Sequence, residues 1–244
     1  MTIKELYEGK ATTIKGIDYQ STKFYTEPFI NKIQPLCKNI IINVIEAEQT
    51  SKTEGKPDVV YNKVLIQGVL KESFMKGYDK VISMTYALNV KDPVCKIYIC
   101  AMNQFGDIIQ TDKDCIIYQK IENKALNFNN IDALLERESV LEKMIEQMSN
   151  VSLTKTEIQQ SLGKWVDFSL RVPFINDHVT VKLAKAMPIC AYQMFINKNS
   201  EFYVEDSLDM LSCYFAFAKL ITDDKKDFVN KFEKTILISK MFGL

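Results

Sequence analysis

Histidine is nearly absent from this 244-residue chain: His178 is the only one. That count excludes an HExxH zinc site and any multi-histidine metal site. His178 follows Asn176-Asp177, a context that suggests an exposed turn and a surface histidine, and strand neighbours such as Asp177 point away from it. Glycine is scarce at eight residues, and no GxxxxGK[ST], GxGxxG or GxSxG stretch occurs. Little is left to build a phosphate-cradling loop, so nucleotide hydrolysis and Rossmann-type redox chemistry are not expected. Arginine occurs only as Arg137 and Arg171. Lysine is a point charge without the bidentate guanidinium fork, which disfavours sequence-specific reading of duplex DNA. No apolar run approaches the roughly 18 residues of a membrane span. MTIKELYEGK also places charges where a signal peptide needs its apolar segment, so a cytoplasmic protein is expected.

The six cysteines, Cys37, Cys95, Cys100, Cys115, Cys190 and Cys213, fall at irregular intervals with no CxxC pair. A structural zinc site needs four convergent soft ligands, so reduced, buried thiols are expected instead. What the chain does contain is an ordinary globular balance of 31 basic and 31 acidic residues with 47% hydrophobic content. The charge is even along its length, with no basic tail, acidic arm, repeat or low-complexity tract.

The polar stretch Gln49 to Pro57 reads as a connector. It divides an N-terminal extension, residues 1–57 with one possible strand at Asn39 to Ala47, from a single α+β domain over residues 58–244. Strands are expected at Val59 to Leu70, Lys80 to Val90, Val94 to Met102 and Asp114 to Lys120. They are rich in Val, Ile and Tyr, and short turn-forming segments separate them. Such connections favour an antiparallel meander. After Asn130 the period changes: Ile131, Leu134, Leu135, Leu141, Met144, Ile145 and Met148 recur at three and four. Thr154 and Glu157 form a capping box before Ile158, Leu162 and Val166. Further helices are expected at Ser207 to Ile221 and Asp224 to Met241. The expected fold class is therefore α+β, an antiparallel sheet over about residues 40–120 covered by C-terminal helices.

Two acidic clusters stand out. Asp107, Asp112 and Asp114 offer carboxylates of the kind that hold Mg²⁺, although a solvated loop explains them as well. Asp223, Asp224 and Asp227 precede a helix whose dipole they favour. No catalytic residue, cofactor or metal is assigned, and a non-enzymatic protein is expected.

The most suggestive pattern lies in the strands, where alternate residues share a face. Tyr61 pairs in this way with Lys63, Lys80 with Tyr86, Lys96 with Tyr98, and Tyr118 with Lys120. If those faces align, rings stack on bases and cations track phosphates, the combination that binds single-stranded DNA or RNA. The alternative is half-buried tyrosines with snorkelling lysine stems. Zero net charge also argues against a strong positive field.

Several motifs occur in a particular order: Tyr61-Asn62-Lys63-Val64-Leu65-Ile66; Lys80-Val81-Ile82 through Tyr86, Leu88 and Asn89 to Pro93-Val94-Cys95-Lys96-Ile97-Tyr98; Leu162-Gly163-Lys164-Trp165-Val166; Val181-Lys182-Leu183-Ala184; and Ile221 to Asp227 with Phe232-Glu233-Lys234-Thr235. Over about residues 58 to 240 the chain resembles the phage/plasmid-like proteins of unknown function found in tailed bacteriophages, including crAss-like phages, and in mobile elements. It departs from them at Cys100-Ala101-Met102-Asn103 and at Tyr214-Phe215-Ala216. The resemblance implies a phage-encoded cytoplasmic protein and names no reaction. Structural readings exist beside it: Gly163 would allow close packing next to Trp165, and Phe232 to Leu237 would form a helix face.

The expected function is single-stranded nucleic-acid binding or annealing in phage DNA metabolism, by an oligomer. The alternative is a protein–protein role, as a virion or assembly component or an inhibitor of a host factor. It draws on Phe215, Phe217, Phe228, Phe232 and Phe242, whose apolar helical faces can form a subunit interface.

Overall fold

Long β-branched runs bounded by turn residues form strands here, and three- and four-residue apolar spacing forms helices. The computed structural model describes residues 19–49, 59–72, 75–88, 95–111, 115–118, 130–135, 138–171, 183–223 and 231–244. In chain order, helix α1 (Tyr19–Ile33) leads into strands β1 (Cys37–Gln49), β2 (Val59–Leu70), β3 (Tyr78–Leu88), β4 (Cys95–Asn103), β5 (Ile108–Ile109) and β6 (Cys115–Tyr118). Helices α2 (Asn130–Leu135) and α3 (Glu138–Asn150), strand β7 (Ser152–Thr154), and helices α4 (Lys155–Arg171) and α5 (Met187–Ile196) follow. Strand β8 (Ser207–Asp209) and helices α6 (Met210–Thr222) and α7 (Lys231–Met241) complete the order. The chain is α+β, with an antiparallel sheet followed by helices.

Strand order in the main sheet is β1-β2-β3-β4-β5, with β6 also pairing β4. β1 and β2 run antiparallel from Asn39↔Val69 to Gln49↔Val59, after an irregularity between Cys37 and Asn39. β2 and β3 pair from Asn62↔Leu88 to Val69↔Val81. Gly77, at φ 91°, supplies the left-handed residue that opens β3.

The chain divides into two compact units, the first comprising residues 1–99, 113–136 and 177–179, the second residues 100–112, 137–176 and 180–244. In the first unit α1 packs on the sheet. Phe29, Ile30 and Ile33 are buried, and a Cβ at Gly68 would lie 2.5 Å from Cys37 Sγ and 2.9 Å from Ile33 Cδ1. Glycine at 68 is what lets β2 pass beneath these two side chains. Val64 to Leu70, Lys80 to Tyr86 and Cys95 to Ile99 are buried at every position. The sheet is therefore covered on both faces in this region, and its strands are buried without a break, with Gln67, Lys80, Ser83, Thr85 and Lys96 covered among the apolar residues.

In the second unit α6 is the central element, with Leu211, Cys213 to Ala218 and Ile221 buried. Trp165 on α4 sits among Phe195, Phe217 and Phe242, with ring centroids at 6.4, 5.2 and 5.3 Å. Asp209 caps α6 by accepting from Ser212 N at 2.8 Å. The capping box of α4 forms as expected: Thr154 N donates to Glu157 Oε2 at 2.8 Å, and Glu157 N to Thr154 Oγ1 at 3.3 Å. The Thr154 amide and the Thr154 hydroxyl, which donates to Glu157 Oε2 at 2.7 Å, together hold the Glu157 carboxyl below its usual range.

Three local expectations need correction. The helix expected from Ser207 starts at Met210, because Ser207 to Asp209 pair with Thr154 to Ser152 as β8 against β7. The single period from Ile131 to Met148 is carried by two helices, α2 and α3. Gly163 is exposed and a Cβ there meets nothing within 4 Å, so it is not a packing glycine beside Trp165.

Candidate functional site

Register decides whether the lysines and tyrosines can form one face. Val64 lies opposite Tyr86 and Gly68 opposite Ile82, so positions 80 and 86 share the even-numbered set of β2 and β3. Tyr61 and Lys63 belong to the odd-numbered set, opposite Ala47 and Ile45 of β1. The two pairs fall in different register sets, whereas a single face needs positions of one set. The same split recurs further on. Cys95 lies opposite Tyr118 and Tyr98 opposite Cys115, which places position 118 in register with the set of Cys95 and Ile97 rather than that of Lys96 and Tyr98. The register therefore does not bring these positions into one set.

Burial takes four of the eight residues further from that role. Tyr86 is 1% exposed, Tyr98 0%, Lys80 2% and Lys96 8%. The Tyr86 hydroxyl lies 2.6 Å from Thr26 Oγ1 on α1. Lys80 Nζ donates to the carbonyl of Leu135, at the end of α2, at 2.8 Å, where a cation meets the negative end of the helix. Both side chains are engaged in packing and capping rather than directed at solvent. The side chains of Tyr61, Lys63, Tyr118 and Lys120 lie outside the described residues, as does His178.

The first acidic cluster also has a structural use where it is described. Asn103 Oδ1 accepts from the amides of Phe105 and Asp107 at 2.9 and 3.0 Å, and Asn103 Nδ2 donates to Asp107 Oδ2 at 3.2 Å. Gly106, at φ 86°, closes this turn. Asp107 is buried, while Asp112 and Asp114 lie outside the described residues. No group of three or more metal-ligating side chains occurs among the described residues. In the second cluster Asp223 is the C-cap of α6, its amide donating to Lys219 O at 2.9 Å, so it closes one helix rather than opening the next. Asp224 and Asp227 lie outside the described residues.

A polar seam ties β5 to α7. Gln110 Nε2 donates to Phe232 O at 2.5 Å, Ser239 Oγ donates to Gln110 O, and the Tyr214 hydroxyl lies 3.1 Å from Ser239 Oγ. Every residue of α7 from Lys231 to Ser239 is buried, including Lys231, Glu233 and Lys234. Burial pushes the Lys231 ammonium below the usual lysine range, partly offset by Cys100 and Asp107. Composition gives no sign that these charges are covered, because charged residues normally mark the solvent side of a helix.

The phenylalanines expected to offer a subunit interface are interior as far as they are described. Phe215, Phe217, Phe232 and Phe242 are all buried, and Phe228 lies outside the described residues. Exposed apolar surface occurs elsewhere in the second unit, on α5. Met187, Ala191 and Phe195 face inward there, while Ile189 and Ile196 are 51% and 42% exposed. Ile189, Gln193 and Ile196 recur at four and three, on one outward side of the helix, with Cys190 exposed next to them. The adjoining helix α4, linked to α5 by a 3.1 Å bond from Gln159 Nε2 to the Tyr192 hydroxyl, exposes Leu170. Sequence reasoning passed over α5 because all its residues but Gln193 are apolar or aromatic, which hides the helical period.

Among the described residues no helix is long and apolar enough to cross a membrane. No family model, curated protein or solved structure matches the chain.

Proposed function

We propose that this chain is a non-catalytic interaction protein whose helical unit docks another protein through the outward side of α5. One observation carries the reading: α5 is largely apolar on both sides, and its outward side, where Ile189 and Ile196 flank Gln193, remains in solvent. A helix apolar all round is normally buried, so a half-covered one suits a partner. The resemblance of residues 58 to 240 to phage and mobile-element proteins supports a phage-encoded source, with a virion component or a host factor as partner. Single-strand binding loses support because Lys80, Tyr86, Lys96 and Tyr98 are buried.

The test is affinity capture from infected cells with the wild-type chain and an Ile189→Glu/Ile196→Glu variant. A stoichiometric partner retained by the first and lost by the second, with unchanged thermal melting, is expected. Equal retention by both overturns the role of α5. Salt-sensitive binding of single-stranded DNA in fluorescence anisotropy would instead restore the nucleic-acid reading.

A further inference from the structure

The first unit ends in a strand whose outer edge carries no strand among the described residues. β1 stands last in the sheet order, and its only strand partner there is β2. Exposed edges invite another chain, and soluble proteins usually blunt them with lysine, proline or a bulge. β1 carries such protection only toward its ends, with Lys38 and the irregularity between Cys37 and Asn39 at the start and Glu46 and Glu48 toward the finish. From Asn39 to Ile45 the sequence is NIIINVI, which has no charge, proline or glycine. It contains Ile40, Ile41, Ile42, Val44 and Ile45, all β-branched and suited to strand pairing. Ile41 is 43% exposed, Asn39 is exposed, and Ile42 is buried.

The charges flanking this run identify the occupant. Lys38 lies on one side, where its ammonium already meets Asp79 Oδ1 of the same protomer at 2.6 Å in a half-exposed ion pair, and Glu46 and Glu48 lie on the other. Antiparallel pairing of two identical strands about Ile42 sets Lys38 opposite Glu46, and pairing about Asn43 sets Lys38 opposite Glu48. In-register parallel pairing sets each charge against its own copy. Opposite charges across a pair are favourable and like charges are not. We infer that β1 is a homotypic edge, through which a second copy of this chain pairs antiparallel about a two-fold axis and continues the sheet between protomers. Such an interface is isologous and closes at two copies.

Sedimentation velocity of the full chain over a concentration series tests this, and a reversible dimer is expected. Ile41→Lys adds a charge at an exposed edge position and should weaken self-association about tenfold or more, with unchanged circular dichroism. Lys38→Glu also breaks the Asp79 pair within the protomer, so the deciding variant adds Glu46→Lys and Glu48→Lys: these leave the Asp79 pair broken, yet should restore the self-association that Lys38→Glu weakens. The restoration keeps the test valid if Ile41→Lys fails to fold. Ile189→Glu/Ile196→Glu should leave the dimer intact, which separates this edge from the α5 surface. A wild-type chain monomeric throughout the series, a dimer unaffected by Ile41→Lys, or no recovery in the charge-swapped variant would overturn the inference.

Discussion

The hydroxyls of Thr26 and Tyr86 lie 2.6 Å apart, both buried, although 60 positions separate them in sequence. This bond fastens α1 to β3 and explains why Tyr86 is not offered to a ligand. Tyr86→Phe leaves the Thr26 hydroxyl without this partner and should cost about 1 to 2 kcal/mol in urea unfolding. In a double-mutant cycle with Thr26→Val the two losses should fall short of adding. Fully additive losses would show that the hydroxyls do not couple.

Gly68 is constrained by contact rather than by backbone angle. Gly68→Ala places a methyl 2.5 Å from Cys37 Sγ, and a destabilisation of about 1 to 3 kcal/mol is expected from overpacking. Cys37→Ala in the same chain should recover part of it by removing the sulfur. Thermal melting of the single and double variants measures both effects.

Helix caps give two further outcomes. Asp209→Ala removes the acceptor for Ser212 N and should cost about 1 kcal/mol. Glu157 has a folded pKa below the ordinary value of 4.5, so its contribution is present above that value and is lost as pH falls through the folded pKa. Thr154→Ala removes the hydroxyl bond and keeps the larger amide one, so it should flatten the acid limb of a stability-against-pH profile in part, whereas an unchanged limb would separate the Thr154 hydroxyl from acid sensitivity.

The thiols differ in access and in titration. Cys190 is exposed whereas Cys37, Cys95, Cys100 and Cys213 are buried, so brief iodoacetamide treatment followed by mass mapping should label Cys190 ahead of those four. Burial pushes the Cys37 thiol up to about 11 and the Cys213 thiol up to about 12. Above the ordinary value of 9.0 the unfolded chain releases these protons first, so both sites lower stability as pH rises toward the folded values. Lys231 acts in the opposite sense, because its folded pKa lies below 10.5 and stability rises with pH between the two values. Relative to wild type, Cys213→Ala should lessen the alkaline loss and Lys231→Met should deepen it, as read from urea midpoints at successive pH values.

Legibility in the sequence followed the range of the interactions concerned. β2 matches its expected bounds because a β-branched run and its flanking turns are local signals. The capping box of α4 is equally local. α1 was hidden by Pro28 inside it, with Phe29, Ile30 and Ile33 finding their burial against the sheet. β8 was unreadable because its partner β7 lies more than fifty positions earlier. The lysine–tyrosine pattern misled for a related reason. Alternation shows which residues share a side of one strand, but register decides which strands agree, and long-range packing decides whether either side meets water. Nothing local announces that Lys80 reaches the carbonyl of Leu135, 55 positions away.

The seam between β5 and α7 also sets an order of events during synthesis. β1, β2 and β3 are consecutive hairpin partners, so each can pair soon after it leaves the ribosome. β5 has two residues, and the Gln110 amide that follows it waits 122 positions for Phe232. So short a strand does not persist by itself, and closing so long a loop is slow. A nascent chain halted before Lys231 would thus carry a formed N-terminal meander beside an open helical unit, leaving Gln110 and Tyr214 without their α7 partners until translation is nearly finished.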